Sequence, residues 1–341
     1  MEPLKHIFFV LLAAYSLQLA APLHAQDPAF SQFFSSPLNV NPALTANINS
    51  DWRFVSNYRN QWMGASSPYV TGTISYDTKL ESKNAFLAEN NYLGIGGMLM
   101  FDKALGGVVK STFASLNLSY SIKVIDGETK HRLGMGFGAD YGRRFIDYSG
   151  VTFEEQYTGF GFNTNLPTGE TALSQMKPYI SVNAGLTYSI TGPNSNFDAG
   201  IAVFHANRPK QTFLKDEHEQ LAIRKVAHAN FETYLNDRTI LSANTIYQLQ
   251  GNATYFSVGG AVGYYLGDDK GPIINGGLWY WRENGFVPYA GLVINNFQFG
   301  LSYDITTSKL SQAARKPGSI ELSLILRGSR EPSKNIPCPW K

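Results

Sequence analysis

The sequence predicts an all-β protein, specifically a transmembrane antiparallel β-barrel of about fourteen strands. Three observations support this prediction. Apolar residues alternate with small or polar residues through most of the chain after residue 25. Only 16% of the 341 residues are charged, yet the mean hydropathy is slightly negative, at -0.17. Beyond residue 25 no apolar run approaches the roughly 20 residues that a spanning helix needs. A disordered chain, a helical membrane protein and a typical cytosolic enzyme all fit these features poorly.

The charge balance and the cysteine count narrow the function classes further. The 28 basic and 26 acidic residues leave a net charge of +2, which argues against a nucleic-acid-binding protein. Cys338 is the single cysteine, so the chain has neither an internal disulfide framework nor a multi-cysteine metal site. No metal ion and no cofactor are predicted.

Residues 1–25 have the pattern of a secretory signal peptide. Lys5 and His6 precede an apolar stretch from Ile7 to Ala21, and Ala25 offers a cleavage site before Gln26. The alternative is a buried N-terminal helix. A signal peptide means that the protein leaves the cytoplasm.

Residues 26–50 are rich in proline and asparagine and precede the first predicted strand. We expect a periplasmic N-terminal segment. It is either a free tail or a segment that folds into the barrel mouth and plugs the lumen, where a polar interior would satisfy its backbone groups.

The barrel itself is predicted over residues 51–327. Between Ile180 and Ile190, for example, six apolar residues alternate with Ser, Asn, Gly and Thr. Ten residues at about 3.3 Å each and a tilt near 45° cross about 23 Å, the height of an outer-membrane apolar band. The predicted strands are 51–60, 67–76, 92–102, 110–123, 131–147, 177–190, 197–205, 226–234, 239–250, 254–266, 273–281, 286–294, 297–305 and 319–327.

The connections between these strands favour the same fold. Short turn sequences, such as those at 125–128 and 191–194, lie at one end of the predicted barrel, and long loops near 148–176, 206–225 and 306–318 lie at the other. Two connections depart from this pattern, a long one at 77–91 on the short side and a short one at 251–253 on the long side. Outer-membrane barrels show this asymmetry, with short periplasmic turns and long outer loops. With an even strand count, residues 328–341 form a periplasmic C-terminal tail. A soluble β-sandwich or propeller also alternates, but its polar face would carry more charge.

Motifs at the two ends of the mature chain resemble the PorP/SprF family, which comprises outer-membrane proteins of the type IX secretion system of Bacteroidetes. The opening motif is Gln26-Asp-Pro-Ala-Phe-Ser-Gln-Phe-Phe34, followed by Asn41-Pro-Ala43 and Tyr58-Arg-Asn-Gln-Trp62. The closing motifs are Leu301-Ser-Tyr-Asp-Ile305 and Ile336-Pro-Cys-Pro-Trp340. The resemblance covers the whole mature chain, strongly at both ends.

This resemblance implies an outer-membrane barrel that is not an enzyme and that binds proteins. Expected partners are periplasmic ring and lipoprotein components of the secretion machinery, a large secreted cargo such as an adhesin, or both, together with outer-membrane lipid. The alternative function is an outer-membrane channel or a transporter of hydrophobic ligands. The residues that the motifs nominate for partner binding are Asp27, Pro28, Ser31, Gln32, Asn41, Pro42, Tyr58, Arg59, Gln61, Trp62, Tyr303, Asp304, Pro337, Cys338 and Pro339.

Other candidate motifs have simpler readings. The glycines of Gly134-Met-Gly-Phe-Gly138 are predicted to ease curvature or close backbone approach on the lumen side, since no helix follows them to form a phosphate-binding loop. The six histidines show no metal-ligand spacing. His205 and His228 flank one long loop and could approach each other, as a hydrolytic rim site of Asp and His would require. We expect no such site. Arg143 and Arg144 are expected at the barrel rim, with their side chains reaching the lipid headgroups; the alternative is a role in recognising cargo or lipid.

Overall fold

The computed structural model describes residues 26–63, 68–80, 91–169, 176–211, 220–267, 271–308 and 318–329. The predicted signal peptide lies outside these residues, as do most of the predicted C-terminal tail and Pro337, Cys338 and Pro339.

Fourteen antiparallel strands close into one barrel, which confirms the predicted fold class and strand number. Each strand pairs with its neighbours in sequence, and β1 pairs with β14 from Trp52 opposite Gly328 to Asn60 opposite Ile320. Closure leaves no unpaired edge, which is what a sheet in lipid requires. The strands are β1 (Trp52–Gln61), β2 (Tyr69–Leu80), β3 (Tyr92–Ala104), β4 (Val109–Asp126), β5 (Lys130–Ile146), β6 (Tyr179–Thr191), β7 (Ser195–Phe204), β8 (Arg224–Asn236), β9 (Thr239–Gln250), β10 (Ala253–Tyr265), β11 (Ile273–Trp281), β12 (Gly285–Ile294), β13 (Phe297–Thr306) and β14 (Ser319–Gly328).

The two faces of the sheet differ as the alternation predicts. Large apolar side chains such as Leu99, Leu116 and Phe137 are exposed on the outer face, whereas Asn117 and Asn183 are buried on the inner face. A water-soluble protein rarely exposes so many large apolar side chains on one face of a sheet. The outer face is therefore suited to lipid, and the inner face encloses a polar interior.

The two ends of the barrel carry different connections. One end, called the turn end here, carries the start of β1 and the hairpin turns at 127–129, 192–194, 237–238 and 295–296. The other, called the loop end, carries the three longest connections, at 147–178, 205–223 and 307–318, together with shorter ones such as 251–252. This is the asymmetry of outer-membrane barrels, in which the long loops face outward.

The helical turns are short. Phe33–Ser35, Pro37–Val40 and Pro42–Leu44 precede β1, and Leu105–Gly107, Tyr148–Gly150 and Glu154–Gln156 lie in loops. Among the described residues no helix is long and apolar enough to cross a membrane.

Candidate functional site: the occupied lumen

Residues 26–48, called the plug segment here, lie inside the barrel. Almost every residue from Phe30 to Ile48 is buried, including the polar side chains of Ser31, Gln32 and Asn41. The proline and asparagine content explains the local fold. Pro37 and Pro42 each sit in the first turn of a short helix, and the Asn41 side chain accepts a hydrogen bond from the Ala43 backbone N–H.

At the loop end, the plug segment is anchored first by Asp27. Its carboxylate Oδ2 lies 2.7 Å from Nε2 of His205 and 3.2 Å from Nε of Arg224, where β7 ends and β8 begins. His205 Nδ1 lies 2.7 Å from the Ser181 hydroxyl. Burial alone would raise the pKa of Asp27, but His205 and Arg224 outweigh it and hold that pKa well below the ordinary value of 3.8. Asp27 is therefore ionised at neutral pH.

A second anchor at the loop end spans the closure between β1 and β14. Arg59 is 1% exposed and donates hydrogen bonds to Asp304 of β13 at 2.6 Å and to Glu321 of β14 at 3.3 Å. The Glu321 carboxylate also accepts the backbone N–H groups of Ser31 at 2.8 Å and Gln32 at 2.9 Å. The plug segment thus hydrogen-bonds to a buried charge cluster that joins three adjacent strands.

Midway along the lumen, Asn41 bridges the plug segment to β6, β7 and β8. Its amide Nδ2 lies 3.1 Å from Nε2 of His228, and the same amide donates to the carbonyl oxygens of Leu186 and Ile201. Arg224 also donates to the Asn39 carbonyl at 3.2 Å. Two polar side chains of the wall, His228 and Arg224, thus meet amide or carbonyl groups of the plug segment.

Glycine on the wall makes room for this close contact. A Cβ on Gly136 would lie 2.2 Å from the Ala43 nitrogen, and one on Gly185 would lie 2.0 Å from the Asn41 side-chain oxygen. The predicted role of Gly136, close backbone approach on the lumen side, is confirmed.

At the turn end, Asp77 of β2 holds the end of the plug segment. Its carboxylate accepts the Ala46 backbone N–H at 2.7 Å and two hydrogen bonds from Arg53, at 3.0 and 2.8 Å. Arg53 also donates to the Leu44 carbonyl at 3.1 Å. Since Asp27 is anchored at the opposite end, the plug segment runs the length of the lumen rather than staying on the side where β1 begins.

Aromatic packing completes the contact on the wall formed by β10 to β12. Phe34 packs against Trp279 with ring centroids 4.6 Å apart and against Tyr289 at 5.6 Å. The Tyr255 hydroxyl donates to the Phe30 carbonyl at 3.0 Å. Apolar burial therefore supplements the polar anchors on this side.

The structure divides the residues that the motifs nominate. Tyr58 and Tyr303 are 41% and 43% exposed on the outer face, away from the lumen. Gln61 is half-buried at the end of β1, and Trp62 follows it with a left-handed φ of 57° and packs edge-on against Tyr69. The nominated residues inside the lumen are Asp27, Pro28, Ser31, Gln32, Asn41, Pro42, Arg59 and Asp304.

The motifs did not nominate several residues that hold the plug segment. Glu321, Asp77 and Arg53 are strand residues whose inward position follows from alternation, but their partners are distant in sequence. His205 and His228 contact different residues of the plug segment, Asp27 and Asn41, so the structure assigns them to separate anchors. Within the described ranges, no cluster of three or more His, Cys, Asp or Glu residues is arranged to hold a metal ion.

The fold and its interior define an outer-membrane β-barrel whose lumen is occupied by its own N-terminal segment. The profile of the family described as type IX secretion system membrane protein PorP/SprF matches residues 23–326. The chain belongs to this family, which confirms the resemblance seen in its motifs and the predicted outer-membrane location.

Comparison with solved structures found matches at low sequence identity. The Pseudomonas putida toluene transporter TodX is 10% identical, covers 85% of this chain and 93% of its own, and has a TM-score of 0.44. A Pseudomonas aeruginosa FadL homologue is 11% identical, covers 84% and 92%, and has a TM-score of 0.44. CdiB from Acinetobacter baumannii is 9% identical, covers 81% and 60%, and has a TM-score of 0.41. A search of curated proteins returned no match.

Proposed function

We propose that the protein serves type IX secretion as a closed barrel that binds partner proteins, and that it does not conduct solutes. The observation that carries this proposal is the plug segment, which fills the lumen and is anchored at both ends and in the middle. A channel needs a continuous water-filled path, and this interior instead contains a packed polypeptide.

The cavities that the described residues form beside the plug segment are small, which supports the same function. Two of them measure about 30 Å³ each, one lined by Asp27, Met100 and Tyr179 and the other by Phe34, Val40 and Asn230. Such a volume holds one or two water molecules and no larger solute.

We also infer that the protein is not an enzyme. The contacts of Ser181, His205 and Asp27 form a hydrogen-bonded chain that superficially resembles a hydrolase triad. Ser181 is fully buried, and Asp27 belongs to the plug segment. These three hydrogen-bonded residues are better suited to anchoring the plug segment than to binding a substrate.

The candidate partners are periplasmic ring or lipoprotein components and a large secreted cargo such as an adhesin. Membership of the secretion family supports partners of these kinds. Crosslinking in intact cells, purification and mass spectrometry separate them, because the ring components indicate a role in the machinery and a secreted cargo indicates a role in export or surface attachment.

Conductance across planar bilayers tests the closed barrel. We expect the purified wild-type protein to show no sustained current and a deletion of residues 26–48 to show stable open steps. Because the deletion exposes charged lumen residues, Gly136→Val provides a second, milder displacement of the plug segment. Gly276→Val is the matched control, since a Cβ on Gly276 meets nothing within 4 Å. Large sustained current through the wild-type protein would support the channel alternative instead.

A further inference from the structure

The connection between β5 and β6 contains a well-formed hairpin at the loop end. Tyr157 pairs with Phe162 across an antiparallel bridge, and the Thr158 backbone N–H donates to the Gly161 carbonyl at 3.0 Å. Gly159 has a φ of 87°, a left-handed conformation that glycine adopts without strain. The tip of this hairpin is therefore a defined turn.

A buried side chain braces the base of the hairpin. Gln156 is 2% exposed, and its amide donates to the Leu166 carbonyl at 2.9 Å while its side-chain oxygen accepts the Phe153 backbone N–H at 3.1 Å. The Asn163 backbone N–H donates to the Gln156 carbonyl at 2.8 Å. These bonds fix both arms of the hairpin relative to each other.

The braced hairpin presents aromatic rings to the solvent. Phe160, at the tip, is 103% exposed, and the rings of Tyr157 and Phe162 below it are more than half exposed with centroids 5.2 Å apart. Bare aromatic rings on a fixed scaffold are a feature of protein-binding surfaces, where they act as anchors in a pocket on the partner.

The charge beside these rings indicates the kind of partner. Residues 147–169 include three acidic residues and no basic one. Asp147 pairs with Lys110, while Glu154 and Glu155 are exposed at the base of the hairpin. Glutamates beside the rings oppose insertion of the hairpin into lipid, because the charges would lose their hydration. They favour a partner whose apolar pocket is bordered by Lys or Arg.

We propose that the tip of this hairpin, residues 157–162, is a docking element for a protein at the outer face of the membrane, with Phe160 inserted into an apolar pocket bordered by basic residues. This inference rests on the proposed function, because it assumes that the partners are proteins. It assigns one binding surface to the loop end.

Site-specific photocrosslinking in intact cells tests this docking element in the full chain. Phe160 is replaced by p-benzoylphenylalanine, and adducts are identified by mass spectrometry. We expect one discrete protein adduct whose yield falls at least fivefold when the photoreactive residue is moved to Asn165, an exposed position on the same loop. We also expect Glu154→Lys combined with Glu155→Lys to lower the yield at least tenfold, and high salt to lower it as well.

Several results would overturn the docking element. They are adducts to lipid alone, an adduct to another loop of the same chain, a protein adduct of equal yield at positions 160 and 165, or a yield that the charge reversal leaves unchanged. The conductance test is independent of these results. A conducting wild-type barrel with a charge-dependent Phe160 adduct would refute the closed barrel alone, and a closed barrel without that adduct would refute the docking element alone.

Discussion

Removing the charge of Arg59 is the sharpest test of how the plug segment is held. The side chain is 1% exposed and is shared between two carboxylates, Asp304 and Glu321, each also 1% exposed. In Arg59→Met these two carboxylates remain buried beside each other without their cation. Loss of one partner from a buried ion pair costs about 3–5 kcal/mol. We expect the free energy that holds the plug segment in the lumen to fall by about that amount.

Thiol labelling measures this effect directly. In a Cys338→Ser background, Ser35→Cys places a thiol at a fully buried position of the plug segment. If opening precedes labelling, the maleimide reaction rate follows the open population. A loss of about 3–5 kcal/mol corresponds to labelling that is faster by roughly 10²-fold to 4 × 10³-fold, since each 1.4 kcal/mol is tenfold.

A triple variant tests the physical reason for the loss. Arg59→Met combined with Asp304→Asn and Glu321→Gln removes the cation and both anions together, so no unpaired charge remains buried. We expect it to recover more than half of the loss caused by Arg59→Met alone. Labelling of Arg59→Met within threefold of the parent rate would refute the reasoning, as would a triple variant that labels faster than the single one.

Three further predictions concern the wall, the pH dependence and the outer face. Gly136→Ala should weaken the hold on the plug segment by about 1–3 kcal/mol, because its Cβ overlaps the Ala43 backbone, whereas Gly276→Ala should leave Ser35→Cys labelling within twofold. The urea midpoint should fall as the pH drops below 3.8, because ionised Asp27 stabilises the folded state. Asp27→Asn should remove part of that acid sensitivity, and an equal fall in both proteins would contradict it. Tyr58→Phe should change labelling less than twofold, because the ring lies outside the lumen.

Much of the barrel followed from alternation alone. β13 is predicted at 297–305 and runs from Phe297 to Thr306. Errors are larger where inward residues are charged. β2 is predicted to end at Tyr76, but it continues through Asp77 to Leu80. β8 is predicted to begin at Val226, but it begins at Arg224. Charged residues that point inward interrupt the pattern of alternating apolar and polar residues from which strands are predicted. They are tolerated in the lumen because the plug segment or adjacent strand residues pair with them.

The site was less predictable than the fold. The motifs nominated Tyr58 and Arg59 together, but adjacent strand residues point to opposite faces, so alternation alone would have separated the lipid-facing tyrosine from the lumen arginine. The wall residues that contact the plug segment could not be predicted in this way. Asp27 and His205 are 178 residues apart, and their contact depends on how far the segment travels along the lumen. No local sequence pattern encodes that distance.

Because the plug segment runs the length of the lumen, the first and last described residues of the folded chain lie at opposite ends of the barrel. Gln26 lies beside the Asp27 anchor at the loop end, while Gly328 completes β14 at the turn end, opposite Trp52. These two ends of the described chain therefore lie on opposite faces of the membrane. An epitope inserted ahead of Gln26 would share its face with the Phe160 hairpin, and one placed after Gly328 would not, so a pair of such labels reports the orientation of the barrel in a living cell.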